Sequence, residues 1–255
     1  MFHDEQLDTA PLTTSTLPTV EAPRWRLLDF VAGVLLLGLG FAVTVAIGIA
    51  VSVYGLIQRG TPRTALLFVV VTLFVELWAG VVVLLLARLR HISLRDLGFR
   101  APNSWSFVPI AIFGAYASVI GYGIAVLILE RVLGADLSAY RAGNPIPPDL
   151  PKTPLVWGVL GLAVVLAAPI GEELFFRGLL YRGLAGMVGP APAIIVSGFA
   201  FAAVHANLSV ILPFALIGMT FAWVYRSSGS LWTTIVAHAI FNGVSFAFTL
   251  YGVDL

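Results

Sequence analysis

The stretch APIGEELFFRGLLYRG, residues 168–183, places two adjacent glutamates and an arginine inside a long apolar segment, residues 155–186. A membrane-spanning helix needs about 20 mainly apolar residues, so this segment predicts such a helix. Pro169 followed by Gly171 predicts a kink within it. Ionisable side chains are unfavourable in lipid and usually serve a function there. The charged part of this helix is therefore the first candidate for a functional site.

The composition extends this prediction to the whole chain. Of the 255 residues, 59% are hydrophobic and 11% are charged, whereas soluble domains average about 25% charged residues. The sequence therefore predicts an all-α, polytopic bundle of transmembrane helices, with the lipid bilayer as its surroundings. A net charge of +1 argues against a nucleic-acid partner, which would need a basic surface. The chain has no cysteine, which excludes disulfides and thiol nucleophiles.

Seven apolar segments are candidates for spanning helices, and there would be eight if the long first or fourth segment divides. We expect a disordered polar tail over residues 1–26, three transmembrane helices over 27–153, and a catalytic helical region over 154–255. The predicted spans are 28–57, 64–88, 105–132, 155–186, 190–206, 209–226 and 231–251.

The distribution of basic residues predicts the orientation. The loop after the second predicted helix contains Arg88, Arg90, Arg95 and Arg100 against Asp96 alone. Short loops rich in Lys and Arg remain in the cytoplasm. We therefore expect a multi-pass protein of the cell membrane with a cytoplasmic N-terminus.

Few ionisable residues fall deep inside the predicted spans, and most of them lie in the last third of the chain. Counted at about 1.5 Å per residue from one membrane face, Glu172 and His205 lie at a similar depth of roughly 21–22 Å. His238 and Asn242 follow at roughly 13 and 20 Å on the same scale. Three helices would therefore bring polar groups together. The deep ionisable residues are Glu76, Glu172, Glu173, Arg177, His205 and His238.

Helical spacing suggests a division of roles. Glu173 and Arg177 are four residues apart, with the acid first, which favours an ion pair. Glu172 points about 100° away on an α-helix and is left free to face a cavity. An imidazole beside a buried carboxylate can help to deprotonate water, or both can hold a metal ion that activates it. The amide of Asn242, one turn after His238, could donate to a developing oxyanion.

Three motifs carry a resemblance to a known family. EELFFR (172–177), FAAVH (201–205) and HAIFN (238–242) resemble the motifs of the CPBP family, the CAAX prenyl proteases and bacteriocin-processing proteins, also called the Abi family. The resemblance covers roughly residues 154–250. It implies an intramembrane endopeptidase whose site lies inside a helical bundle.

By motif position, the resemblance implies that Glu172 and His205 activate water, and that His238 and Asn242 stabilise the oxyanion. Glu173 and Arg177 complete the first motif. A divalent metal such as zinc, held by Glu172, His205 and His238, and a metal-free mechanism both stay open. The implied substrate is a membrane-associated peptide or protein, with prenylated and bacteriocin-like chains among the candidates.

Two other classes of function remain open on the sequence. In a non-catalytic immunity or scaffolding protein, the same polar residues would only hold the bundle together. In a proton-coupled transporter, Glu and His would relay protons. A transporter would need a polar pathway to both faces, and the sequence shows no obvious paired repeat of the kind many transporters have.

Overall fold

The computed structural model describes residues 25–53, 61–134, 136–141, 146 and 150–251. This part of the chain is helical and contains no strand, which confirms the predicted all-α class. Most of the predicted tail, residues 1–24, lies outside it. The α-helices are α1 (Leu27–Val53), α2 (Pro62–Leu89), α3 (Leu94–Leu97), α4 (Phe107–Leu133), α5 (Pro154–Gly161), α6 (Ala168–Glu173), α7 (Arg182–Val188), α8 (Pro190–Ala203), α9 (Ile211–Ser228) and α10 (Leu231–Tyr251).

Six helices of the described chain are long and apolar enough to cross a membrane, so the predicted polytopic architecture holds. The fifth predicted span, 190–206, is shorter than expected. It is the 14-residue helix α8, which extends only about 21 Å at 1.5 Å per residue. A hydrocarbon core is about 30 Å thick, so α8 alone does not match it. The described residues show no eighth span.

The fourth span is one continuous helical segment, Pro154–Val188, called the composite helix below. It alternates α5, α6 and α7 with two wider π-helical stretches, Leu162–Ala167 and Leu174–Tyr181. Pro169 follows the first of them by two residues. A proline cannot donate a main-chain hydrogen bond, which disturbs the regular α-helical pattern. Short π-helical stretches inside α-helices are frequent at functional sites.

Helices α8 and α9 form a closely packed hairpin. A Cβ atom added to Gly218 would lie 2.8 Å from the Cα of Gly198, so the two backbones touch where neither residue has a side chain. Small residues at such positions let membrane helices approach closely. This contact brings the main chain of α9 to the centre of the bundle, next to the composite helix.

One hydrophobic core joins the two ends of the chain. Phe30 and Val82 from the N-terminal helices belong to the same buried cluster as Phe175 and Phe221. In addition, the indole N–H of Trp25 donates to the carbonyl oxygen of Gly178 at 3.0 Å. The three N-terminal helices and the C-terminal region therefore pack into one bundle. The proposed boundary between residues 153 and 154 stays a prediction.

The short helix α3 lies in the basic loop after α2. Ser93 caps it: its hydroxyl accepts from the main-chain N–H of Asp96 at 3.1 Å and donates to the Asp96 carboxylate at 2.6 Å. These hydrogen bonds from Ser93 lower the pKa of Asp96 below its usual value. The loop therefore begins in a defined conformation rather than as a flexible connection.

The end of the same loop docks on the turn between α9 and α10. Gly98 has a φ of 107°, and its carbonyl oxygen accepts from the main-chain N–H of Leu231 at 2.9 Å. The hydroxyl of Tyr225 donates to the carbonyl oxygen of the buried Leu97 at 2.9 Å. This docking fixes the start of α10, the helix that carries His238.

Candidate active site

An ion pair lies at the centre of the bundle. Arg177 donates from Nη1 to Oε1 of Glu173 at 2.8 Å, and both side chains are fully buried. Its Nη2 donates to the carbonyl oxygen of Gly218 at 3.0 Å. The guanidinium carbon lies 4.9 Å from the ring centre of Phe201 and 5.3 Å from that of Phe221, close enough for cation–π attraction. The pair expected from the helical spacing is therefore present.

Glu173 has a second partner that the sequence analysis missed. Its Oε1 lies 3.1 Å from Nδ1 of His238 on α10. A carboxylate paired with arginine only accepts hydrogen bonds, so Nδ1 of His238 carries the hydrogen. In the neutral ring, Nε2 then keeps its lone pair. Spacing along one helix could not reveal this contact, because it depends on how α10 packs against the composite helix.

Glu172 faces the opposite edge of the same imidazole. Its Oε2 lies 3.8 Å from Nε2 of His238, and its side chain is 14% exposed. That distance is longer than a hydrogen bond, and within the described chain Oε2 is buried and makes no hydrogen bond. Two acceptor atoms therefore face each other across a short gap. A molecule that donates hydrogen to both would satisfy them.

Glu76, on α2, is a third acidic residue near Glu172 and Glu173. The main-chain oxygen of Glu76 packs directly on Gly171, where any Cβ atom would collide with it. Its carboxyl group lies close enough to that of Glu172 for the two to interact electrostatically. The structure therefore makes Glu76 a neighbour of Glu172.

His205 occupies the edge of this cluster. Helix α8 ends at Ala203, so His205 lies in the turn that follows. Its Nδ1 donates to the carbonyl oxygen of Phe201 at 2.9 Å, and its ring packs edge-on against Phe214 with 4.6 Å between centres. No hydrogen bond or ion pair joins His205 to Glu172 in the described structure. The Phe201 ring contacts both His205 and His238, at 5.2 and 5.9 Å between centres.

Asn242 lies one turn after His238, as predicted, and is half-buried. Its Nδ2 donates to the carbonyl oxygen of Val164 in the first π-helical stretch at 2.8 Å. A side-chain amide has two N–H groups, so this bond leaves one of them for a ligand. Spacing along one helix could not predict the bond to Val164, which lies on a different helical segment.

The three residues predicted as ligands of an optional metal do not converge. Nε2 of His238 and Oε2 of Glu172 face each other, but the described contacts of His205 are with Phe201 and Phe214 rather than with either of them. Over the described residues, no three His, Asp or Glu side chains form a group that could hold a metal ion. This donor arrangement does not fit a bound metal.

The fold and the cluster define an integral membrane protein with buried, ionisable groups gathered at one point of an apolar bundle. Residues 154–244 match the family model for Rce1-like proteins, described as type II CAAX prenyl endopeptidase Rce1-like. All six predicted site residues, from Glu172 to Asn242, fall inside this range.

A similarity to a curated protein points the same way. Over 134 residues the chain is 28% identical to a Bacillus subtilis (strain 168) protein named "Putative membrane peptidase YdiL". The alignment covers 52% of this chain and 52% of that protein, so the chain spans about half the length of the curated relative it matches. No solved structure matches the chain.

The match to the family model confirms the resemblance to the CPBP family for residues 154–244, and the similarity to the named membrane peptidase agrees with it. They support a membrane protease as its general class. Neither match tests the role of an individual residue.

Proposed function

We propose that the protein is an intramembrane endopeptidase that hydrolyses a peptide bond in a membrane-associated peptide or protein. One observation carries the proposal: Oε2 of Glu172 and Nε2 of His238, both acceptors, lie 3.8 Å apart inside an apolar bundle. A water molecule can donate one hydrogen to each of them. Its oxygen lone pairs would then be free to attack a substrate carbonyl.

The surrounding residues suit this use of water. Glu173, held by Arg177, accepts from Nδ1 of His238 and keeps Nε2 available as a base. A carboxylate that fixes the tautomer of a histidine is a common feature of hydrolytic sites. In the proposed reaction, Glu172 removes a proton from water while the water oxygen bonds to the carbonyl carbon. The proton then passes to the leaving nitrogen as the C–N bond breaks.

The oxyanion formed in this step needs a hydrogen-bond donor. The second N–H of Asn242 is the best candidate, because the first is fixed on Val164 and holds the amide in one orientation. Preorganised donors of this kind contribute about 10²–10³ in rate. In the proposed reaction Asn242 therefore stabilises the oxyanion, which is the role that its motif position implies.

The geometry favours a different partner for Glu172 than the family motifs imply. His238, rather than His205, lies beside Glu172. His205 keeps a free Nε2, because its Nδ1 donates to Phe201, and its side chain is partly exposed at the edge of the cluster. We assign His205 to the substrate side of the site, where its free Nε2 would relay the proton from Glu172 to the leaving amine.

The substrate class follows from the surroundings of the site. Phe201 and Phe221 line His238, so the substrate segment would enter among apolar side chains. A hydrophobic or lipid-modified peptide meets this requirement, and prenylated and bacteriocin-like chains are both included. A scaffolding protein could also be stabilised by the ion pair of Glu173 and Arg177. Glu172, whose Oε2 is buried without a hydrogen bond, would not stabilise it.

The test compares peptides in membranes of cells that carry wild-type protein, Glu172→Gln or Glu130→Gln. Glutamine at 130 keeps an acceptor for the main-chain N–H of Leu137, which Glu130 binds at 3.1 Å, so this variant is the matched control. We expect specific membrane peptides in wild-type and control cells that disappear with Glu172→Gln. Identical peptides in all three would exclude the endopeptidase and favour a scaffold or a transporter.

A further inference from the structure

The bond between Asn242 and Val164 occurs at a particular point of the composite helix. In the stretch Leu162–Ala167 the hydrogen bonds run five residues back, and the N–H of Ala168 donates to the carbonyl oxygen of Ala163. The next bond of this series would join residue 169 to Val164. Residue 169 is proline, which has no N–H. The Asn242 side chain donates in its place, at 2.8 Å.

This bond connects the two halves of the candidate site. Pro169 precedes Glu172 by three residues, and Asn242 follows His238 by four. The helices are also in close contact there: a Cβ atom added to Gly243 would lie 3.5 Å from Val165, and one added to Gly161 would lie 3.1 Å from Phe246. A side-chain bond between surfaces this close restricts how α10 can slide or rotate against the composite helix.

We infer that Pro169 is a positioning residue of the site. By supplying no N–H, it leaves the carbonyl oxygen of Val164 to Asn242, and this bond sets the height and rotation of His238 opposite Glu172. Any other residue at 169 would offer Val164 a main-chain donor and make the Asn242 bond dispensable. In an apolar interior a carbonyl group needs a donor, so the proline makes the Asn242 bond necessary. The catalytic part of this inference rests on the proposed function.

A double-mutant cycle tests the linkage without reference to activity. Asn242→Ala leaves the partly buried carbonyl of Val164 without its donor, which should lower the melting temperature of the detergent-purified protein by about 4 °C or more. With Pro169→Ala, the new N–H of residue 169 takes over this carbonyl. In that background Asn242→Ala should lower the melting temperature by less than half as much.

Pro109→Ala serves as the matched control, because Pro109 is an exposed proline near the start of α4. The losses of melting temperature caused by Pro109→Ala and by Asn242→Ala should simply add in the double variant. If Asn242→Ala alone fails to fold, the double variant with Pro169→Ala should fold again. Equal losses in both backgrounds, or a double variant that also fails to fold, would overturn the inference.

The positioning role has a separate kinetic readout. Pro169→Ala should lower kcat for a substrate found with the wild type by about tenfold or more, since small misplacements of reacting groups have effects of this size. KM should change less than twofold. An unchanged kcat would limit Pro169 to a structural role and overturn the positioning claim. If Glu172→Gln keeps full cleavage, the proposed function fails. The melting-temperature cycle would still show whether the effect of Asn242→Ala depends on Pro169.

Discussion

The N-terminal helix α4 and the C-terminal span Leu208–Ser228 use apolar sequence in two different ways. Within the most apolar 18-residue window of each, 11% of the α4 residues are buried, compared with 56% in the span Leu208–Ser228. The α4 helix presents large side chains such as Phe113 and Ile120 outward, as expected of a helix that faces lipid. The C-terminal helices pack against one another around buried charges.

This difference shows where the bundle can hold ionic groups. The Glu173–Arg177 pair is stable in the interior only because Gly218, Phe201 and His238 surround it. The N-terminal ion pair between Asp29 and Arg90 is partly exposed, with 30% of the Arg90 side chain accessible. The C-terminal region therefore depends on specific polar contacts, whereas the N-terminal helices depend on their general apolar character.

The largest effect should come from Arg177→Met. It leaves the carboxylate of Glu173 buried without its cation, and breaking such a pair costs about 3–5 kcal/mol. Arg88→Met, at the exposed end of α2, should change stability by less than about 0.5 kcal/mol. Thermal unfolding of both variants in the same detergent measures the difference. Equal stability of the two would refute the contrast between the regions.

A smaller effect should follow from Gly171→Ala. The added methyl group collides with the main-chain oxygen of Glu76 and forces α2 away from the turn that carries Glu172. Overpacking of this kind costs about 1–3 kcal/mol. Gly121→Ala on α4 meets open space and should be close to neutral. The contrast would fail if both alanines had the same effect on the melting temperature.

The smallest effect should come from Ser93→Ala in the basic loop. It removes the cap of α3, which is worth about 0.5–1 kcal/mol in a typical helix. Because Ser93 lowers the pKa of Asp96, its contribution is complete above the ordinary Asp pKa of about 3.9 and is lost as the pH falls through the lowered value. The difference in melting temperature between wild type and Ser93→Ala should therefore narrow below about pH 4. A difference that widens in acid would contradict this account.

The sequence was sufficient for features that depend on local spacing. Long apolar runs predicted the spanning helices, and the four-residue interval predicted the pair of Glu173 and Arg177. It was not sufficient for features that depend on how helices end and pack. Depth counting assumed regular α-helices, but the composite helix contains π-helical turns, and α8 ends before His205.

The contacts of α10 could not be predicted from the sequence for the same reason. The bonds from His238 to Glu173 and from Asn242 to Val164 join residues 65 and 78 positions apart. No periodicity along one helix encodes such a distance. Pro169 was visible as a helix-disturbing residue, but the bond from Asn242 to Val164 could be identified only from the packing.

The most direct test of the central claim is the rate of cleavage of one identified substrate by purified protein in lipid vesicles. Wild type and Glu172→Gln would be compared at equal amounts of folded protein, with Glu130→Gln as control. If Glu172 activates the attacking water, kcat should fall by about 10²–10⁴ in Glu172→Gln and remain unchanged in the control. Full cleavage by Glu172→Gln would contradict the account.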